Sequence, residues 1–246
     1  MSDQNVNQLN LKSPSEFLKF LDSLSKISES AIITVDREKV SSLVSSPDST
    51  LILHAQVNME TSFYDTLNIP DVKKLTRIID TVGGTDLSLS INSNNIEYKG
   101  NGLKFKYHLF DEGFLTKPSL NLDKINAFTY NVEFDLTKDT LQKIFKGATF
   151  ASETNKIYFY TDGESLMGEL TDRARHNTDN FVCSLSDDFE GNIEKPLPIN
   201  FDSFRLVSFN GSREVNFSIN TDMGVITCNF KKGDAQLIYI ISALIN

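Results

Sequence analysis

The stretch IPDVKKLTRIIDTVGG, Ile69 to Gly84, crowds Lys73, Lys74 and Arg77 onto one short segment of a chain whose formal net charge is -9. Cations gathered in this way offer one chemistry above others, the neutralisation of phosphates, which holds a nucleic-acid backbone without reading its bases. Three other segments repeat a pattern found here, a cation followed directly by two apolar residues. The four are Lys19-Phe20-Leu21, Arg77-Ile78-Ile79, Lys143-Ile144-Phe145 and Arg205-Leu206-Val207, at intervals of roughly 60 residues. Lys26, Lys73, Lys74 and Lys146 add charge beside the first three, whereas Arg205 stands alone. One such segment is the ordinary polar face of an amphipathic helix; four at similar spacing ask for a shared role.

Catalytic chemistry is not signalled. The run ELTDRARHNTDN gathers Asp172, Arg173, Arg175, His176 and Asp179. A single His with no second His or Cys beside it makes a poor metal site, so this run reads as a polar loop whose Arg173 and Arg175 are free to touch DNA or a neighbouring subunit. His54 and His108 lie in strand-like segments with no nucleophile beside them. Asp187 and Asp188 would point to opposite faces of a strand and suit a solvated turn before Gly191. No phosphate-cradling glycine loop, dinucleotide fingerprint or nucleophile elbow occurs. The sequence therefore predicts no catalytic residues, no metal and no cofactor.

What must position the cations is a helix lying on a sheet. Val72, Leu75, Ile79 and Val82 recur at three- and four-residue steps and share one face, with Lys73, Arg77 and Asp80 opposite. Pro70 and Asp71 suit the helix start, Gly83 and Gly84 its end. Alternating runs follow at Leu87 to Ile91, Ile96 to Lys99 and Leu103 to Leu109, divided by Asn-rich and Gly-rich turns. The same helix-then-strands unit begins at SEFLKFLDSLSKIS, TKDTLQKIFKGATFAS and NFDSFRLVSFNGS. Pairs of units pooling their strands give an α+β fold of two similar domains, 1–110 and 131–246. The connector between them, 111–130, carries Gly113 and Pro118 and interrupts the alternation.

The 246 residues, 39% hydrophobic, suffice for two cores of ordinary size. The opening MSDQNVNQLN is a polar tail without the basic start and apolar core of a secretory signal, and no apolar run approaches the roughly 18 residues of a membrane span. An intracellular protein with no membrane contact is expected. Cys183 in NFVCSL and Cys228 in VITCNF then read as two buried free thiols. An acidic whole is not a typical nucleic-acid binder, so any such role rests on where the cations stand.

Two domains of two helix-plus-strands repeats, a long connector, cations on the repeat helices, an acidic total and the terminal LIYIISALIN together resemble a DNA sliding clamp of the proliferating cell nuclear antigen type, found also in tailed-phage replication systems. The resemblance runs from Ser13 to the end and rests on repeat order; it departs from the familiar pattern in the first ten residues and in the thin cation set of the fourth repeat. It implies the DNA clamp fold, with the helices on one face of the sheets, and a head-to-tail ring, which a four-repeat chain closes as a homotrimer. Lys19, Lys26, Lys73, Lys74, Arg77, Lys143, Lys146 and Arg205 would face the phosphates of encircled double-stranded DNA. Leu120, Leu122, Ile125 and Phe128 of the connector, Ala243, Leu244 and Ile245 of the tail, and Leu43 and Val44 in the connection inside the first repeat would form a groove for a partner peptide. The strands around Leu103 to Leu109 and Phe181 to Leu185 would join neighbouring subunits. The implied partners are DNA polymerase and an ATP-dependent clamp loader, at replicating DNA, in the bacterial cytoplasm for a phage-encoded chain. Two other readings fit the same residues: a monomeric processivity factor that holds DNA by a basic face, and an antiparallel structural protein of a virion whose helix cations are only solvated.

Overall fold

Four times along the chain a short strand leads into a helix and the helix into three strands. The computed structural model describes residues 7–84, 86–120, 123–124, 127–208 and 214–244, the side chains of Ser208 and Glu214 excepted. The first repeat is β1 (Asn7–Leu11), α1 (Pro14–Ser25), β2 (Ala31–Val35), β3 (Lys39–Ser45) and β4 (Leu51–Asn58). The second is β5 (Asp65–Ile69), α2 (Val72–Val82), β6 (Leu87–Asn92), β7 (Asn95–Gly100) and β8 (Leu103–His108). The third is β9 (Val132–Thr137), α3 (Lys138–Phe150), β10 (Lys156–Thr161), β11 (Leu166–Leu170) and β12 (Phe181–Ser186), followed by the short β13 (Phe189–Gly191). The fourth is β14 (Leu197–Asn200), α4 (Phe201–Ser208), β15 (Glu214–Asn220), β16 (Val225–Lys232) and β17 (Ala235–Ser242).

The strand ahead of each helix is absent from the helix-first unit read in the sequence, and β1 occupies part of what reads there as a polar tail. Its Leu9 and Leu11 are buried while Gln8 and Asn10 face outward, the two-residue period of a half-buried strand. These leading strands sew the repeats together by exchange. β1 of the first repeat pairs antiparallel with β6 of the second, Leu9 opposite Leu89, and β5 of the second pairs with β2 of the first, Leu67 opposite Ile33. Likewise β14 of the fourth repeat pairs with β10 of the third, and β9 of the third with β15 of the fourth.

The chain forms two compact units, one of Met1–Ser46, Leu53–Ser119 and Lys231–Leu237, the other of Pro47–Ile52, Leu120–Phe230 and Ile238–Asn246. The first unit contains the strand orders β1-β6-β7-β8 and β4-β3-β2-β5, the second β12-β11-β10-β14 and β13-β9-β15-β16-β17. In the first, α1 and α2 pack together and bury Phe17, Phe20, Leu21 and Leu24 with Val72, Leu75 and Ile79. In the second, Phe134, Phe159, Phe204 and Phe217 form one ring cluster with centroids 5.3 to 6.1 Å apart. Burying each such side chain stabilises its unit by about 1.5 to 3 kcal/mol relative to leaving it in water. No helix among the described residues is long and apolar enough to cross a membrane.

Candidate nucleic-acid interface

The cations of α2 stand on a helix fixed at its first turn. Asp71 caps it, its Oδ1 accepting from the Lys74 N–H at 2.8 Å. The Tyr107 hydroxyl of β8 donates to the Asp71 carbonyl at 2.7 Å and accepts from the Asp71 N–H at 3.0 Å, which ties the helix start to that strand. Burial pushes the Tyr107 phenol up to about 12, so it keeps its proton for this role. Val72, Leu75 and Ile79 turn inward, and Lys73, Lys74 and Arg77 are left exposed with no ion pair among the described residues. Asp80 is exposed on the same helix.

α3 repeats this arrangement in the second unit. Thr137 caps it by accepting from the Thr140 N–H at 3.2 Å, and Leu141, Ile144 and Gly147 form its buried face. Lys143 and Lys146 are exposed and form no ion pair among the described residues. Gly147 lies in the helix interior because the Phe181 ring of β12 rests against it; a Cβ there would overlap three carbons of that ring.

The other two helices carry cations that are already answered. On α1, Lys19 pairs with Glu16 at 2.5 Å and Lys26 with Asp22 at 3.2 Å. Glu16 also accepts from the Asp234 N–H at 2.6 Å, and Asp22 from Lys232 Nζ at 2.7 Å, so both acids are fastened to the β16–β17 turn as well. Burial raises both carboxyls, but the hydrogen bonds from Lys19 and the Asp234 N–H to Glu16, and from Lys232 and Lys26 to Asp22, outweigh it and hold both below the usual carboxylate range. On α4, Arg205 pairs with Asp202 at 3.2 Å. Eight cations read from the sequence as one set thus divide into five without an ion pair among the described residues, on α2 and α3, and three ion-paired ones, Lys19 and Lys26 at α1 and Arg205 on α4.

Arg173 proves to be occupied within its own unit. It pairs with Glu169, with Nε 2.9 Å from Oε2, and its guanidinium lies over the rings of Tyr158 at 4.9 Å and Tyr160 at 5.4 Å. Arg175 and Lys156 both pair with Asp172, at 3.4 and 3.0 Å. Cys228 is buried, whereas Cys183 on β12 is only half-buried; both are free thiols. Burial raises the Cys183 thiol, and the nearby Lys143 charge offsets part of that push.

Among the sheet-end strands of the described residues, which also include β1, β5, β13 and β14, β8 closes the order β1-β6-β7-β8 and β12 closes β12-β11-β10-β14. Both β8 and β12 carry apolar side chains in solvent, Leu103 on β8 being 45% exposed and Val182 on β12 41%, with Phe150 at the end of α3 63% exposed. Lys104 and Lys106 alternate along β8.

The groove candidates separate. Leu43 and Val44 belong to β3, not to a connection, and Val44 is buried. Their alternating neighbours made the strand; its polar serines hid it in the sequence. They line a small cavity of about 80 Å³ with Leu115, Lys117 and Pro118 of the connector. Leu120 and Phe128 are half-buried in the second unit. Ala243 bridges to Ile199, and the Leu244 N–H donates to the Pro198 carbonyl at 2.8 Å, so this tail extends past β17 along β14. Leu122, Ile125 and Ile245 lie outside the described residues. A larger depression of about 770 Å³, missed in the sequence, runs along β5 and the start of the connector, lined among others by Tyr64, Asn68, Phe110 and Leu115. Phe110 is held there by its N–H to the Asn68 carbonyl at 2.9 Å and packs against Phe114, with centroids 4.3 Å apart and the rings tilted by 39°. Aromatic residues on both sides of Gly113 were the available signal.

Two units of paired strand–helix–strands repeats, with cation-bearing helices, define the fold of a DNA sliding clamp. No protein-family model matches the sequence, and no curated protein matches it. Solved structures do. The chain is similar over 98% of its length, and 99% of theirs, to the PCNA of A. fulgidus in complex with the C-terminal region of FEN-1, at 14% identity and a TM-score of 0.71, and to the Proliferating Cellular Nuclear Antigen of Entamoeba histolytica, at 12% and 0.71. PCNA from Thermococcus kodakaraensis matches 97% of this chain and 100% of its own at 14% identity, with a TM-score of 0.67.

Proposed function

We propose that this chain is a sliding clamp, a non-enzymatic ring of three copies that encircles duplex DNA and tethers the replicative DNA polymerase. The observation that carries this reading is the set of unpaired cations on α2 and α3 within a full-length clamp fold whose total charge is acidic. Positive charge gathered on helix faces binds phosphates where the ring needs it, and the net anionic remainder repels DNA elsewhere. Because phosphate contacts carry no sequence information, the ring slides, and topology rather than tight binding keeps it on the duplex. Closure would come from β8 of one copy adding to β12 of the next, which removes both open edges and covers Leu103, Val182 and Phe150. An ATP-dependent loader would open such a ring.

The A. fulgidus neighbour holds the C-terminal region of FEN-1. By the same reading, polymerase and other partners of this clamp insert a short segment with apolar anchors beside the connector, against Leu43 and Leu115, and the tail residues Ala243 and Leu244 are a separate candidate contact.

The test measures mass in solution and retention on DNA. A trimer that stays on nicked circular DNA and runs off when the circle is linearised is the expected result. A monomer that binds circles and linear DNA equally would favour a processivity factor acting through a basic face, and indifference to DNA would favour a structural protein.

A further inference from the structure

The unpaired cations are not spread evenly over the repeat helices. α2 is tied to β8 through the Tyr107 hydroxyl, and α3 packs on β12 through Gly147 and Phe181, with Lys143 near the Cys183 thiol. β8 and β12 are the sheet ends through which the proposed ring would close. The helix-facing sides of both strands are also their apolar sides, Tyr107 on β8 and Phe181 and Leu185 on β12. Where the two strands join with both helix layers on one face of the continued sheet, α2 of one copy and α3 of the next flank the seam together.

From this we infer that the DNA-binding charge of the ring lies at its subunit joints, and that duplex DNA acts as an electrostatic bridge across each joint. The inference rests on the proposed ring. Each joint gathers Lys73, Lys74 and Arg77 from one copy and Lys143 and Lys146 from its neighbour, partly offset by Asp80 and Asp139. The cations at α1 and on α4 are paired instead, Lys19 with Glu16, Lys26 with Asp22 and Arg205 with Asp202. Without DNA, like charges face one another across the seam and favour opening, more so when little salt screens them. A phosphate backbone lying over the seam is attracted to both sides and reverses that sign. By reciprocity, whatever factor the duplex adds to ring closure, closure adds to duplex affinity.

The test is exchange of fluorescently labelled subunits between rings, at low and high salt, with and without a short blunt duplex. For the native chain, exchange without DNA should be about tenfold faster at low salt than at high salt, and the duplex should slow it at low salt. A variant with Lys73→Gln, Lys74→Gln, Arg77→Gln, Lys143→Gln and Lys146→Gln should exchange slowly at either salt and ignore the duplex. A control with Lys12→Gln, Lys195→Gln and Lys231→Gln, exposed cations away from α2 and α3, should follow the native chain. If trimers form but the five-site variant keeps the native salt and duplex dependence, or the control behaves like it, the joint inference is wrong and the ring stands. A chain that never forms a trimer overturns the ring reading itself.

Discussion

Gly147→Ala should destabilise the native protein yet stabilise it once Phe181 is removed. In a helix interior alanine is favoured over glycine by about 1 kcal/mol, so on local grounds the substitution helps. Tertiary packing opposes it. The added Cβ would overlap Cγ, Cδ1 and Cε1 of Phe181, and because Cγ is among them, turning the ring about its own axis gives no relief. Either χ1 must leave its well or β12 must lift from α3. Overpacking of this kind costs about 1 to 3 kcal/mol, so the net loss should be up to about 2 kcal/mol. In a Phe181→Ala background the obstacle is gone and the propensity gain of up to about 1 kcal/mol should appear. The coupling between the two sites is then about 1 to 3 kcal/mol, large beside the usual error of a double-mutant cycle. Urea denaturation of the four proteins measures it, at one fixed protomer concentration because assembly shifts apparent stability. Additive effects in that cycle would refute the packing argument.

The other predictions concern pH, the helix cap and the tail. His54 on β4 is buried with its Nδ1 unpartnered, and burial, then the Lys39 charge, lower it to about 4. Its folded value lies below the unfolded one, so the unfolded chain takes up the proton first; stability is full above about pH 6.5 and falls as pH drops toward 4, by about 2 to 3 kcal/mol. Urea midpoints should therefore decline between pH 6.5 and 5 in the native protein, and more weakly in His54→Leu. Tyr107→Phe leaves the Asp71 N–H and carbonyl without their shared partner and should cost about 1 to 2 kcal/mol in thermal or urea unfolding, an unchanged midpoint arguing that water replaces the hydroxyl. Deleting residues 243–246 should weaken polymerase binding more than trimer formation, measured side by side by pull-down and sedimentation; equal loss of both would assign the tail to structure.

The helices were legible because each carries several signals that agree. For α2 the period of Val72, Leu75 and Ile79, the Asp71 cap and the Gly83-Gly84 stop all mark the same segment. β6, β7 and β8 were equally plain, since their alternation runs for a full strand between turns. The leading strands were not. β5 and β14 are short and run straight into their helices, and β1 shows only Leu9 and Leu11 among polar neighbours. Their burial comes from the partner repeat, across a long loop of chain, and local sequence does not record a partner. The same limit applied to Arg173, whose tyrosine and glutamate partners sit on β10 and β11.

Cation position could be counted in the sequence, but cation availability could not. Glu16 lies three residues before Lys19 and Asp22 four before Lys26, spacings at which helical side chains meet, whereas Arg77 has Asp80 three residues after it and forms no pair among the described residues. Spacing alone does not separate these cases. What separates them is the β16–β17 turn, whose Asp234 N–H and Lys232 hold the two acids of α1 in place from outside the helix. With those acids anchored, Lys19 and Lys26 gain a fixed partner and have less charge to offer a phosphate. Asp80 has no such second anchor, and an exposed pair without one is worth only about 0 to 1 kcal/mol, too little to withhold Arg77 from a nearby polyanion. For α1 the difference between a structural cation and a binding one is set by a turn more than two hundred residues away in sequence; Arg205, whose partner Asp202 is exposed and lacks that anchor, keeps its charge available, and α2 and α3 hold the larger share of it.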